Sequence, residues 1–86
     1  RTIAVTVGGL PDAVTALEIA SALRSLEGVV SARLKETAGG EARIDVSVRG
    51  TSSEELAGRV GKGIAGIRVV EIGPGALRLQ AAASHR

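Results

Sequence analysis

Apolar and polar positions along the chain follow two alternating periods. Over 3–7, Ile3, Val5 and Val7 fall on one side and Ala4 and Thr6 on the other, the period-two signature of a half-buried strand. Gly8-Gly9-Leu10-Pro11 interrupts that pattern. Asp12 then occupies an N-cap position, and from there to Glu27 the period becomes helical. Ala16, Ile19, Ala20, Leu23 and Leu26 share one helical face, and Gly28 stands where a C′ glycine closes a helix.

Alternation returns over 29–36, with Val30, Ala32 and Leu34 on one face and Ser31, Arg33 and Lys35 on the other. A second alternating run, 43–49, sets Ile44, Val46 and Val48 against Arg43, Asp45, Ser47 and Arg49. Gly39-Gly40 between them predicts a hairpin. Placing Leu34 opposite Val46 keeps the charged residues off the core face, because a one-residue slip would invert every side chain. This register sets Lys35 opposite Asp45 and Ser31 opposite Arg49. Ser52-Ser53-Glu54-Glu55 reads as a capping box opening a second helix, with Leu56, Val60 and Ile64 on its apolar face. Gly58, Gly61 and Gly63 weaken that helix by about 1 kcal/mol each against Ala, and close helix–sheet packing or a mobile helix end is the expected use for them. Ile67–Ile72 forms the next strand. After a turn at Gly73-Pro74-Gly75, residues 76–80 supply an added strand with Leu77 and Leu79 inward and Arg78 outward. The order β-α-β-β-α-β predicts an α+β, ferredoxin-like sandwich: a four-stranded antiparallel sheet with both helices on one face, extended by the C-terminal strand. Residues 1–80 make one domain, and 81–86 read as a disordered tail.

Composition narrows the chemistry. The 86 residues include no Cys, Met, Phe, Tyr or Trp and a single His. Thiolate metal sites and aromatic base-stacking platforms are therefore excluded. The core must be built from Val, Ile, Leu and Ala, without the large burials aromatics supply. Eleven Lys and Arg against nine Asp and Glu leave a net charge of +2, too little for a non-specific nucleic-acid surface. No apolar run approaches the ~18 residues of a membrane-spanning helix. The chain opens at Arg1 rather than Met, as expected of one piece of a longer protein.

Over nearly its whole length the chain resembles the heavy-metal-associated domain. The likeness rests on Val7-Gly8-Gly9-Leu10, on Leu23-Arg24-Ser25-Leu26-Glu27-Gly28-Val29, on Gly40–Val46 and on Ser53-Glu54-Glu55-Leu56. These are scaffold features. The positions corresponding to that family's metal-binding Cys pair are Asp12 and Thr15, so the resemblance implies the fold and no metal carriage. The same strand order is similar to ACT-type regulatory domains, which bind amino acids at a Gly-containing turn after the first strand. Gly28-Val29-Val30-Ser31-Ala32, Gly39-Gly40-Glu41-Ala42 and Ser53-Glu54-Glu55-Leu56-Ala57 look most like the small α/β modules of periplasmic and cell-envelope assembly proteins.

Short motifs add no catalytic chemistry. Gly58-x-x-Gly61-x-Gly63 has glycines near dinucleotide spacing, but within a helical pattern. Gly61-Lys62-Gly63 lacks the Ser or Thr of a P-loop. Glu54-Glu55 suits a helix N-terminus, and His85 beside Ser84 has no orienting acid. Two expectations follow. The leading one is a non-catalytic protein-interaction or assembly module of a larger bacterial, cell-envelope protein, without cofactor or metal. Its surface would be the outward face of the hairpin, Ser31, Arg33, Lys35, Arg43, Asp45, Ser47 and Arg49, with the 76–80 edge as a further docking element. Its partner would be a protein or a second copy, with no nucleic acid and no membrane insertion. The alternative is an ACT-like domain holding a small ligand at Gly8, Gly9, Leu10 and Asp12.

Overall fold

The computed structural model describes residues 2–10, 13–64 and 66–81. The elements run β1 (Thr2–Gly8), α1 (Ala13–Arg24), β2 (Val29–Ala38), β3 (Glu41–Val48), α2 (Ser53–Gly63), β4 (Ile67–Gly73) and β5 (Ala76–Ala81). The protein is an α+β sandwich of the ferredoxin-like βαββαβ type carrying an extra C-terminal strand. The five strands form one sheet in the order β2-β3-β1-β5-β4. α1 lies over β2 and β3, and α2 over β4 and β5. The apolar faces of both helices and the inward residues of the strands close a single aliphatic core. Ile3, Val5 and Val7 of β1, Ile44 and Val46 of β3, Leu23 of α1, Leu56 and Val60 of α2 and Leu79 of β5 are all fully buried. Burial of each such side chain contributes about 1.5–3 kcal/mol.

The sheet is mixed rather than antiparallel. β5 pairs in parallel with β1, from Ala4 opposite Ala76 to Gly8 opposite Gln80. It also pairs antiparallel with β4. The expectation that 76–80 would be an edge is thus corrected: β5 sits inside the sheet, and β4 is the edge. The β4–β5 turn explains the insertion. Pro74 followed by Gly75 at φ 73° is the combination a type II turn requires. Ser53 Oγ accepts the Gly75 N–H at 3.1 Å, and the Gly75 carbonyl accepts the Ala4 N–H at 3.0 Å. The turn is thereby tied to both α2 and β1, and β5 is led in beside β1. β5 extends through Ala81, one residue into the stretch expected as tail; 82–86, with His85, lie outside the described residues.

The β2–β3 register also departs from expectation. Leu34 faces Ile44, Ala32 faces Val46, Arg33 faces Asp45 and Ser31 faces Ser47. Gly39 and Gly40 both have positive φ, 58° and 80°, and form a two-residue hairpin loop of the kind type I′ turns need. Such a loop pairs Ala38 with Glu41, and continued without interruption it would turn Arg33 toward the core. A bulge between Leu34 and Glu36 inserts Lys35 and restores the parity. A second irregularity, between Val29 and Ser31, pairs Val29 with Val48. Val29 packs on the core, whereas Val30, expected inward, is 63% exposed.

The start of α2 and the stop of α1 have local causes. The α2 capping box forms as expected: Ser52 Oγ accepts the Glu55 N–H at 3.1 Å, and Glu55 Oε1 accepts the Ser52 N–H at 3.0 Å. α1 ends at Arg24, short of the expected Glu27. Its last turn tightens through Ser25 N–H to the Ala22 carbonyl and Leu26 N–H to the Leu23 carbonyl, before Gly28 turns away at φ 88°. Arg59 of α2 then bridges the helices. Its Nη1 donates to the Glu27 carbonyl at 2.8 Å and to Thr51 Oγ1 at 3.0 Å. Thr51, only 5% exposed, in turn donates to the Arg49 carbonyl at 3.3 Å.

Two stability measurements follow. A Cβ at Gly58 or Gly61 would meet nothing within 4 Å, so the close packing expected there is absent; only Gly63 lies near a neighbour, Leu26 Cδ2 at 3.0 Å. Gly58→Ala and Gly61→Ala should therefore each stabilise the fold by about 0.5–1 kcal/mol. Thermal melting followed by far-ultraviolet circular dichroism should show each raising Tm by several degrees. By the same measurement Arg59→Met should destabilise by about 1–2 kcal/mol, because it leaves the Glu27 carbonyl and Thr51 hydroxyl without their charged donor.

Candidate interaction surface

With both helices on one side, the other side of the sheet is uncovered, and alternation decides what it presents. From β3 come Arg43, Asp45 and Ser47; from β2, Ser31 and Arg33; from β1, Thr2, Ala4 and Thr6; from β5, Ala76, Arg78 and Gln80. The registers align these into rows across the strands. One row runs Glu36, Arg43, Thr6, Arg78, Glu71 from edge to edge, with charges toward both ends and a hydroxyl in the middle. The next runs Arg33, Asp45, Ala4, Ala76, Gly73, with a charge pair at one end and small residues at the other. The centre of the face is therefore low, with charged side chains along its β2–β3 margin and, on the β4–β5 side, at Arg78 and Glu71.

Of the seven hairpin residues expected at this surface, Ser31, Arg33, Lys35, Asp45 and Ser47 line one open depression together with Thr2 and Arg24. Lys35, although in the bulge, reaches Asp45 at Nζ–Oδ2 3.8 Å. Arg43 belongs to the adjoining row and lines a smaller hollow with Thr6, Glu36 and Glu41. Arg49 lies just beyond the end of β3, its N–H donating to the Gly28 carbonyl at 2.9 Å, and does not line that depression. Arg78, expected outward on the 76–80 strand, is joined on this open side by Glu71 and Arg68, which the expected surface does not include. Arg78 Nε and Glu71 Oε1 lie 3.8 Å apart. Their membership depends on β5 entering beside β1, which alternation within one strand does not reveal.

The turn after β1 is built differently from a ligand loop. A Cβ on Gly8 would lie 3.0 Å from Gln80 Oε1, and one on Gly9 would collide with the Gln80 amide nitrogen. The Gln80 side chain thus fills the space that these glycines leave open. Gly9 also takes φ 74°, and the Leu10 N–H is spent on the Gly40 carbonyl at 2.8 Å, with Leu10 itself buried. Asp12 lies outside the described residues. No three His, Asp or Glu residues gather as a metal-holding group among the described residues. Among those residues no helix is long and apolar enough to cross a membrane.

The ion pairs of the open face are solvent-exposed at both partners, and such pairs contribute about 0–1 kcal/mol. Exchanging the facing charges, Arg33→Glu with Asp45→Arg, should therefore leave the fold intact and shift stability by less than about 1 kcal/mol in a melting experiment. No family model, curated protein or solved structure matches this chain.

Proposed function

We infer that the chain is a non-catalytic protein-interaction module that docks through its open sheet face. The observation that carries this reading is the placement of the charged residues. Both signs stand in fixed register at the margins of an uncovered face whose centre is Ala4, Thr6 and Ala76. A low centre lets another backbone or small side chain approach. Mixed charge at the margin gives orientation and selects partners more than it adds affinity. The likeness to small cell-envelope assembly modules adds an assembly role within a larger bacterial protein. The small-ligand reading draws less support, because the Gly8-Gly9 turn is filled by Gln80.

Two measurements separate the classes. Melting in the presence of single amino acids and inorganic anions should show no stabilisation; a ligand-binding domain would gain RT ln(1 + [L]/Kd) from one of them. Proteins captured on the immobilised chain from a bacterial envelope extract should be lost with the Arg33→Glu/Asp45→Arg exchange and recovered with the unmodified face. An amino-acid-specific rise in Tm, or capture unaffected by the exchange, would remove the open face from the function.

A further inference from the structure

The two edges of the sheet differ. β2 is interrupted twice and exposes Arg33, Lys35 and Glu36, charges with no symmetric arrangement along the strand. β4 is seven residues long, Ile-Arg-Val-Val-Glu-Ile-Gly, and among the described residues it pairs only with β5. Its far side therefore carries free peptide N–H and C=O groups, beside Val70, 57% exposed, and Ile72, 46% exposed.

The single irregularity in β4 decides what such an edge can accept. Val70 is the extra residue between Val69, opposite Leu79, and Glu71, opposite Arg78. Arg68 faces Gln80 and Glu71 faces Arg78, so both point to the open face. Ile67, Val69 and Ile72, opposite Ala81, Leu79 and Leu77, point to the helix face. In an unbroken strand residues 68 and 71 would lie on opposite faces. The bulge makes the edge self-complementary about a point between Val69 and Val70. A second β4 laid antiparallel there sets Arg68 against Glu71, Glu71 against Arg68, and each Ile67 against the other Ile72. Faces match and opposite charges meet.

We propose that two copies of this chain associate through β4, antiparallel about a two-fold axis between Val69 and Val70, to form one continuous ten-stranded sheet. The inference names a partner, a second copy, for the interaction module inferred above, and it uses the edge rather than the face. A two-fold contact of this kind closes on itself, so assembly stops at the dimer.

The test is the solution mass of the 86-residue chain over a concentration series. It is read by light scattering with refractive-index detection, since the chain lacks Tyr and Trp. The chain should form a concentration-dependent dimer. Arg68→Glu places Glu against Glu at both symmetric positions, and Glu71→Arg places Arg against Arg. Each should weaken the dimer about tenfold or more. In an equimolar mixture of the two variants, the two acidic positions of one copy meet the two basic positions of the other, and a mixed dimer should be restored. Val70→Lys provides an independent block at the dyad, and unchanged circular dichroism shows that each variant folds. A monomer at all concentrations overturns the pairing and leaves the docking face standing. A dimer that survives Val70→Lys, or that responds to the Arg33→Glu/Asp45→Arg exchange instead of the 68/71 reversals, overturns the β4 edge and assigns association to the face.

Discussion

Side-chain parity is the constraint on which the rest of this structure depends. With helices on one side only, every strand must turn its aliphatic residues the same way, and a slip of one residue turns charge into the core. The two hairpin loops do not provide that parity by themselves. Gly39-Gly40 pairs Ala38 with Glu41, and an uninterrupted ladder from there would carry Arg33 inward opposite Val46. Pro74-Gly75 pairs Gly73 with Ala76, and its uninterrupted ladder would carry Arg68 inward opposite Ala81. Desolvating an unpaired guanidinium is far more costly than the local loss of a ladder bond at a bulge. Lys35 and Val70 are the extra residues that resolve each conflict, one per hairpin.

This explains which features the sequence discloses. Period-two runs, glycine turns and the Ser52–Glu55 capping box are local, and each stands where its own chemistry places it. The hairpin surface was legible because the true register differs from the parity-preserving guess by two residues, so Ser31, Arg33, Asp45 and Ser47 keep their face while changing partners. A bulge residue such as Lys35 looks like any other alternating position, because only the turn's loop length makes it surplus. Strand order was hidden for a different reason. The apolar run from Ile67 to Ile72 suggests the more buried strand, yet Leu77 and Leu79 of β5 occupy the interior. That choice rests on contacts from the Gly75 turn to Ser53 and Ala4, far apart in sequence.

An aliphatic core without rings places a premium on a few long-range polar ties. α2 has three glycines and little intrinsic propensity, so its position depends on its cap, on Leu56, Ala57 and Val60, and on Arg59. Arg59 holds the turn that follows α1, through the Glu27 carbonyl, and the exit of β3, through Thr51. A cation at that carbonyl also sits at the negative end of the α1 dipole. Gly28 leaves this junction its room, because a Cβ there would collide with Thr51 Oγ1 and crowd Arg59. One guanidinium thus couples both helices to the sheet at the point where β2 begins.

The same parity rule connects the interior to the outside. The bulge at Val70 exists within the chain because Arg68 must stay out of the core. Its consequence is that Arg68 and Glu71 emerge on one face, three residues apart, with Ile67 and Ile72 on the other. A strand whose charges are opposite in sign and symmetric about its midpoint matches its own reverse, which an unbulged strand of this sequence would not. On the open face the row Glu36, Arg43, Thr6, Arg78, Glu71 is symmetric in charge about Thr6, whereas the row Arg33, Asp45, Ala4, Ala76, Gly73 carries charge at one end only. Pairing at such an edge runs through directional peptide hydrogen bonds, which salt screens weakly. The exposed charges of the face, by contrast, are screened strongly by salt.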